Sequence, residues 1–421
     1  MADTATFSGA MKTEFLGPIR DILPQGKVLL FGDQYANPTD FKGILPSAEG
    51  INFVGNEFRI PMKTQRNQSV GFRLENELLM APGAGKYSYL TEPLRHAYAL
   101  FNITGQLFKA SDTNQGAFVS AFKQEMSDTI LASKLDFNRA AYGDGTGKMA
   151  TITTGTSANT VQPVDTTVNF RALGEVVDIV TPSTGVPSNA TNAGRTVVAV
   201  NRSGLQLTFD SAVTTTTNDI IVRSSTDSTS TLPNNSWNRE INGLTNIVNS
   251  SGVLHGFNPA TYSFWASLVT PSVGAINESV IRTAIDTVGF NAGIDLENGL
   301  DFAMVTTRGI RKRYSDTLLG FRRFASPDLV KLNGGFSALM FDEFPMFIDD
   351  QCPVGNLWGL ALNKLFWSQM SDWDWMDEDG HVLKWDIRRD RYIAVLYKYC
   401  NLGTTFRTAH FRLSGITDDV R

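Results

Sequence analysis

The chain has 421 residues, 42% of them apolar and 19% charged, with a formal net charge of −5. That length suits two or three globular units with a sizeable core. The mild acidity excludes the basic balance expected of a dedicated nucleic-acid binder. Two cysteines lie far apart in apolar surroundings with no metal-ligand spacing, which predicts free buried thiols in a reducing compartment. The N-terminus has no basic start leading into an apolar stretch, and no run reaches the roughly 20 apolar residues that cross a bilayer. Synthesis in a cytoplasm and no membrane partner are the expectations.

Residues 1–45 read as an arm. Phe7, Met11, Phe15 and Ile19 follow helical spacing, limited by Pro18 and Pro24. Residues 46–108 read as an extended loop with flanking strands. EFRIPMKTQ and SVGFRLENELL are predicted strands joined by TQRNQS, followed by the glycine-proline loop APGAGK and the aromatic segment HAYALFNITGQLF.

Residues 112–142 carry the clearest helical pattern. Asp112 and Gln115 resemble a capping box. Phe118, Phe122, Met126 and Ile130 stand four apart, with Leu131 and Leu135 continuing the apolar face. The predicted helix is about 45 Å long and stops at Gly143. From 153 to 235 Thr, Ser, Asn and Val dominate, and short alternating segments (GEVVDIV, RTVVAVN, LQLTFD, NDIIVRS) predict an all-β insertion, a small barrel or sandwich. The return linker is SSTDSTSTLPNNS. Beyond it come a helix over INESVIRTAIDTVGF, a buried strand over LDFAMVTT, a basic helix or turn over RGIRKRYSDTL, strands around turns over 334–362, and two closing strands from Asp390.

The motifs with chemical content fail one by one. RAAYGDGTGKMAT lacks the phosphate-loop order: Tyr142 stands at the first glycine position, Met149 at the hydroxyl position, and the glycines end a helix instead of opening one. GAGK at 83–86 has Met80 at the first glycine position. Asp372, Asp374, Asp377, Glu378 and Asp379 beside His381 are oxygen-rich, but the EF-hand pattern is broken at Asp377, and a solvated acidic edge carrying alternating tryptophans is expected. His96, His255, His381 and His410 have no metal partner at i+4 and no hydrolase elbow accompanies them. Arg308, Arg311, Lys312, Arg313, Arg322 and Arg323 form a basic group expected to pair with carboxylates. The expectation is no catalytic, metal or cofactor-binding residues, no cofactor, and no enzyme.

What remains is an apolar arm, a long excursion and one long helix, in an order that resembles the major capsid proteins of tailed bacteriophages, the HK-97-like fold. FVSAFKQEMSDTILASKLDFNRAAYGDGTG looks like the spine helix and its glycine turn. FRIPMKTQ through NITGQLF looks like the extended loop that lies on an adjacent subunit. ESVIRTAIDTV with LDFAMVTTRGIRKRYSDTL looks like the helix, strand and helix of the axial domain, and DRYIAVLYKYCNLGTTFRTAHFRLSGI looks like the last strands of the peripheral domain.

The resemblance implies an α+β capsid fold: arm 1–45, extended loop 46–108, peripheral domain with spine helix 109–152, inserted β domain 153–235, peripheral connection 236–269, axial domain 270–385 and terminal peripheral strands 386–421. It implies a structural protein that self-assembles as hexamers and pentamers of an icosahedral head enclosing double-stranded DNA, bound without sequence specificity. The implied partners are its own copies, a portal protein, a separate scaffolding protein and a decoration protein. The implied location is the virion, after synthesis in the host bacterial cytoplasm. An encapsulin-like nanocompartment is the alternative on the same fold. A loop-Lys to terminal-Asn isopeptide crosslink is not expected: no Glu occurs from Asp390 to Arg421, and RDRYIAVLYK lacks Asn.

Overall fold

The computed structural model describes residues 53–55, 57–106, 115–170, 173–224, 235–293, 302–317, 330–331, 337–341, 344–377 and 381–418; for 53–54, 115–124, 330–331, 337–340 and 371–372 only the backbone is described. The arm 1–45, the Asp112 cap, most of the return linker, Arg322, Arg323, Glu378 and Asp379 lie outside the described residues.

Helix α1 runs Gln115–Tyr142, about 42 Å at 1.5 Å per residue. Met126, Ile130, Leu131 and Leu135 of the expected apolar face are only half-buried. Deep burial begins at Ser133 and Lys134 and takes in Phe137, Asn138, Arg139, Ala140, Ala141 and Tyr142. The helix is anchored by its C-terminal end. There Asn138 donates to Asp349 and Gln351, and Phe137 packs between Trp367 and Trp373 at ring distances of 5.6 and 5.4 Å.

The sheet against this end is built on Arg391–Thr404. Its alternation turns Ala394, Leu396, Lys398 and Cys400 inward. It pairs antiparallel with Arg95–Thr104 from Arg391↔Thr104 to Cys400↔Arg95, and on its other edge with Leu365–Trp375 and Lys384–Trp385. The Lys398 ammonium lies 5.8 Å from the Phe137 ring centre, so a buried cation is received by an aromatic face.

A second body forms on a seven-stranded mixed sheet, in the order Leu268–Thr270, Phe411–Leu413, Leu357–Ala361, Phe302–Thr306, Phe344–Ile348, Ser337–Phe341, Val330–Lys331. All five residues of Phe302–Thr306 are buried, as a strand covered on both faces requires. Helix α2, Glu278–Ala292, is capped by Asn277, whose side chain accepts from the Val280 N–H, and turns Ile281, Ala284, Ile285 and Val288 into this core. Helix α3, Arg308–Thr317, adds Ile310 and Tyr314.

Residues 148–223 form a six-stranded sheet ordered Lys148–Thr151, Ile220–Arg223, Val176–Val180, Arg195–Asn201, Gln206–Val213, Asn159–Pro163. Its two ends meet: Ile152 bridges Val164, the Thr153 N–H donates to the Pro163 carbonyl and the Asp165 N–H to that of Thr151. The sheet therefore closes into a barrel with no free edge, filled by Met149, Ile152, Phe170, Val177, Leu207 and Phe209 among others.

Three expectations need correction. SVGFRLENELL contains no strand; Glu57–Gln65 pairs with Lys86–Pro93, and residues 66–85 form an irregular tip. The alternation is present in that segment, but no strand among the described residues pairs with it. The β segment starts at Lys148, not 153, because the strand after the glycine turn joins the barrel. The 385/386 boundary is crossed by both sheets: Leu365–Trp375 pairs with Arg391–Thr404, while Phe411–Leu413 belongs to the seven-stranded sheet. Sequence order misleads here because pairing partners lie up to 300 residues apart.

The two sheets meet at Arg407, which is fully buried. Its guanidinium donates to the carbonyls of Ile247 and Asn246 at 2.9 Å, Ser251 at 2.9 Å, Gly252 at 3.0 Å and Trp265 at 3.5 Å. Burial lowers its pKa to about 10, so it keeps its charge at neutral pH. Arg407→Met keeps the stem and removes every donor, leaving buried carbonyls unpaired. Chemical denaturation is expected to show a loss of about 3–5 kcal/mol with the slope unchanged; a loss below about 1 kcal/mol would mean the cage contributes little.

Candidate functional site

The most exposed apolar surface lies at the hairpin tip. Glu57–Gln65 and Lys86–Pro93 form the stem, rooted by Phe58 and Leu90, which are buried, and by the Thr91 N–H donating to the His255 carbonyl at 3.2 Å. At the tip the Leu74 N–H donates to the Glu77 carboxylate and the Glu77 N–H to the Leu74 carbonyl, which holds a turn. Around that turn Val70, Phe72, Leu74, Leu78 and Leu79 are all at least three-quarters exposed, Phe72 completely. Tyr87 and Tyr89 extend the apolar surface down the stem. Scattered apolar side chains are normal on a surface, but a contiguous set at the end of a projecting element marks a contact site.

Behind the stem an ionic cluster joins α1 to the barrel. Arg139 donates to Asp136 at 3.0 Å and to Glu240, and Arg223 from the barrel donates to the same Asp136 oxygen at 2.9 Å. Burial would raise the Asp136 carboxyl, but the guanidinium groups of Arg139 and Arg223 outweigh it and hold it well below the usual carboxylate range. Glu240 is pushed up by burial despite Arg139. Glu175 has one carboxylate oxygen buried without a hydrogen-bond partner; burial raises it to about 7, against the pull of Arg223. A cavity of about 560 Å³ opens beside the cluster, between α1, Arg95–Leu100 and Trp373.

The glycine run at 143–147 is structural. The Gly143 N–H closes the helix on the Ala140 carbonyl at 3.0 Å. Gly147 has φ +81°, and a Cβ there would lie 2.5 Å from the Ser236 carbonyl oxygen, so only glycine lets the outgoing and returning chains pass. Lys148 opens the first barrel strand and cradles nothing.

Other sequence candidates are dispersed. Trp373 meets Phe137 and Trp375 meets Phe101 edge to face, in keeping with the expected alternation, and Asp374 accepts from the Trp375 N–H. Arg308 makes a paired contact with Asp350 at 2.6 and 2.8 Å, the expected carboxylate pairing. Cys352 and Cys400 are buried and free. His255 and His410 are buried and His96 stacks at the surface on Tyr98. Among the described residues there is no cluster of potential metal ligands, and no helix is long and apolar enough to cross a membrane.

No family model matches the chain, and no curated protein matches it in sequence. Among solved structures, the capsid asymmetric unit of cyanophage A-1(L) superposes with a TM-score of 0.53 over 89% of this chain and 92% of that one, at 14% identity. The chain has the HK-97-like fold of tailed-phage capsid subunits. Also similar are the holo-SrpI encapsulin complex of Synechococcus elongatus PCC 7942, at TM-score 0.47 and 10% identity over 100% of this chain and 97% of that one, and the capsid of a native GTA particle, at 0.44 and 10% over 98% and 99%.

Within this capsid fold the sequence missed three buried groups: Arg407, His410 and the unpaired Glu175 oxygen. The signal for the first two is a charged and a titratable residue inside the apolar run TTFRTAHFRL. Glu175 gives a pH test. Its pKa is raised from 4.5 to about 7, so folding favours its neutral form, and the stability it contributes is present below pH 4.5 and lost as pH rises through 7. Glu175→Gln is expected to raise the melting temperature at pH 8 and leave it nearly unchanged at pH 4.5. An equal shift at both pH values would assign the effect to packing.

Proposed function

We propose that this chain is a major capsid protein whose copies assemble as hexamers and pentamers of an icosahedral head around double-stranded DNA. The observation that carries the reading is the apolar hairpin tip, whose side chains stay exposed beside the described residues of their own subunit. A neighbouring subunit supplies that cover, at roughly 25 cal/mol per Å² of apolar area buried before association costs. Heterologous contacts of this kind between identical subunits close into rings. The capsid fold and the absence of any assembled chemistry among the described residues support the reading.

The arm 1–45 makes further inter-subunit contacts. The barrel is an inserted domain on the outer face, α1 with the Arg391–Thr404 sheet forms the peripheral domain, and the seven-stranded sheet with α2 and α3 forms the axial domain. Scaffolding, portal and decoration proteins are its partners, and DNA contacts are non-specific, in keeping with the net charge of −5.

Sedimentation velocity with electron microscopy of the fastest fraction tests assembly. Closed shells or rings are expected from the wild-type chain with its scaffold. Phe72→Asp with Leu79→Asp is expected to abolish them while leaving subunit stability within about 0.5 kcal/mol, since both side chains are exposed. Normal shells from this variant would remove the tip from the interface. Purified shells carrying protein cargo and no DNA would assign the chain to the nanocompartments. Denaturing gels of the shells are expected to show monomer, not a covalent ladder.

A further inference from the structure

Two buried imidazoles meet at one residue. His255 has 5% of its surface exposed and His410 none. The Thr404 N–H donates to His255 Nε2 at 3.2 Å, and His255 Nδ1 contacts the carboxylate of Glu92, itself 2% exposed. The Thr404 hydroxyl lies 3.0 Å from His410 Nε2, and the Ala361 N–H donates to His410 Nδ1 at 3.2 Å. These partners assign the tautomers: His255 carries its proton on Nδ1 and His410 on Nε2. Thr404 Oγ1 also donates to the Lys364 carbonyl and accepts from the Phe406 N–H, so its lone pairs and proton are fully committed.

We propose that Glu92, His255, Thr404 and His410 form an acid-released latch that ties the base of the projecting hairpin to the seven-stranded sheet. Glu92 ends the hairpin stem, His255 sits on the connecting loop, Thr404 ends the long central strand, and His410 bonds to the strand Leu357–Ala361. Each ring accepts a main-chain N–H. A second proton on His410 sets its Nδ1–H against the Ala361 N–H in a buried site, so its protonation requires the segment to open.

The surroundings offer His410 no relief. Burial depresses its pKa from 6.5 to about 3. A histidine depressed on folding stabilises above its unfolded value and loses that contribution as pH falls, so the latch weakens progressively below 6.5. His255 faces Glu92 on one side, and Trp265 and Phe366 cover it on others. The charged Arg95, Asp144 and Glu240 share with Glu92 and His255 the lining of a cavity of about 370 Å³. Arg407, three residues before His410, is held by carbonyls of the same connecting loop. Opening therefore frees the hairpin root while the barrel, which has its own separate core, stays folded.

The test is amide hydrogen exchange by mass spectrometry on the full chain as isolated subunits, so it does not depend on assembly. Exchange is measured from pH 8 to pH 5 and normalised for the chemical rate. Peptides covering 86–94, 250–258 and 400–413 are expected to open roughly tenfold more per pH unit below about 6.5, one proton being taken up per opening, with the barrel strands over 195–213 unchanged. His255→Gln with His410→Asn keeps an acceptor at each N–H and removes titration; its latch peptides should show no such rise. A flat wild-type profile, or the wild-type slope in the double variant, overturns the proposal. If the variant does not fold, imidazole NMR of the wild-type chain decides. His410 should remain the neutral Nε2–H tautomer to about pH 4; a ring that titrates near 6.5 while the latch amides stay protected overturns it.

Discussion

The buried guanidinium of Arg407 is the constraint on which the rest of this subunit hangs. A charge taken out of water must be fully hydrogen-bonded or it unfolds its surroundings. Here the whole requirement is met by main-chain carbonyls of residues 246–265, a segment with little regular structure. The demand runs both ways: those carbonyls need donors, and the loop takes one conformation because one side chain supplies them. The Ser267 hydroxyl donating back to the Arg407 carbonyl at 2.5 Å closes the arrangement. The strand Phe411–Leu413 follows directly and delivers the chain into the second sheet, so one residue sets how the two sheets meet.

Charge does comparable work at the C-terminal end of α1. Asp136, Arg139, Arg223 and Glu240 bring together the helix, the last barrel strand and the chain returning from it. Such a network contributes less net energy than its Coulomb terms suggest, because each group is desolvated. Its value is geometric. The barrel leaves and re-enters the body at Gly147 and Ser236, and the ion pairs fix its orientation at that crossing. The one carboxylate oxygen with no partner, on Glu175, marks where the arrangement is least satisfied.

The hairpin follows a different logic. Its root is held by hydrogen bonds and by buried Phe58 and Leu90, and its tip is apolar and bare. A projecting element of this kind is stable only if the root is rigid and the tip finds cover elsewhere. On the proposed reading a neighbouring subunit supplies that cover, so monomer stability and assembly draw on separate residues.

Local pattern was enough for the elements whose signals are local. Helices α1 and α2, the buried strand Phe302–Thr306, the barrel strands and the glycine stop at 143 follow from periodicity, capping and chain reversal, which depend on neighbours within a few residues. The overall order of elements carried the fold. Partners far along the chain were not legible. SVGFRLENELL alternates like a strand, but a strand needs an edge to pair with, and only the tertiary structure reveals that none is offered among the described residues. Leu365–Trp375 and Phe411–Leu413 exchange the sheets their positions suggest, because the Arg407 cage sits between Arg391–Thr404 and Phe411–Leu413 and the chain passes there from one sheet to the other. Arg407, His255 and His410 look like ordinary polar residues in sequence; burial, which no local pattern encodes, makes them the groups that hold the subunit together.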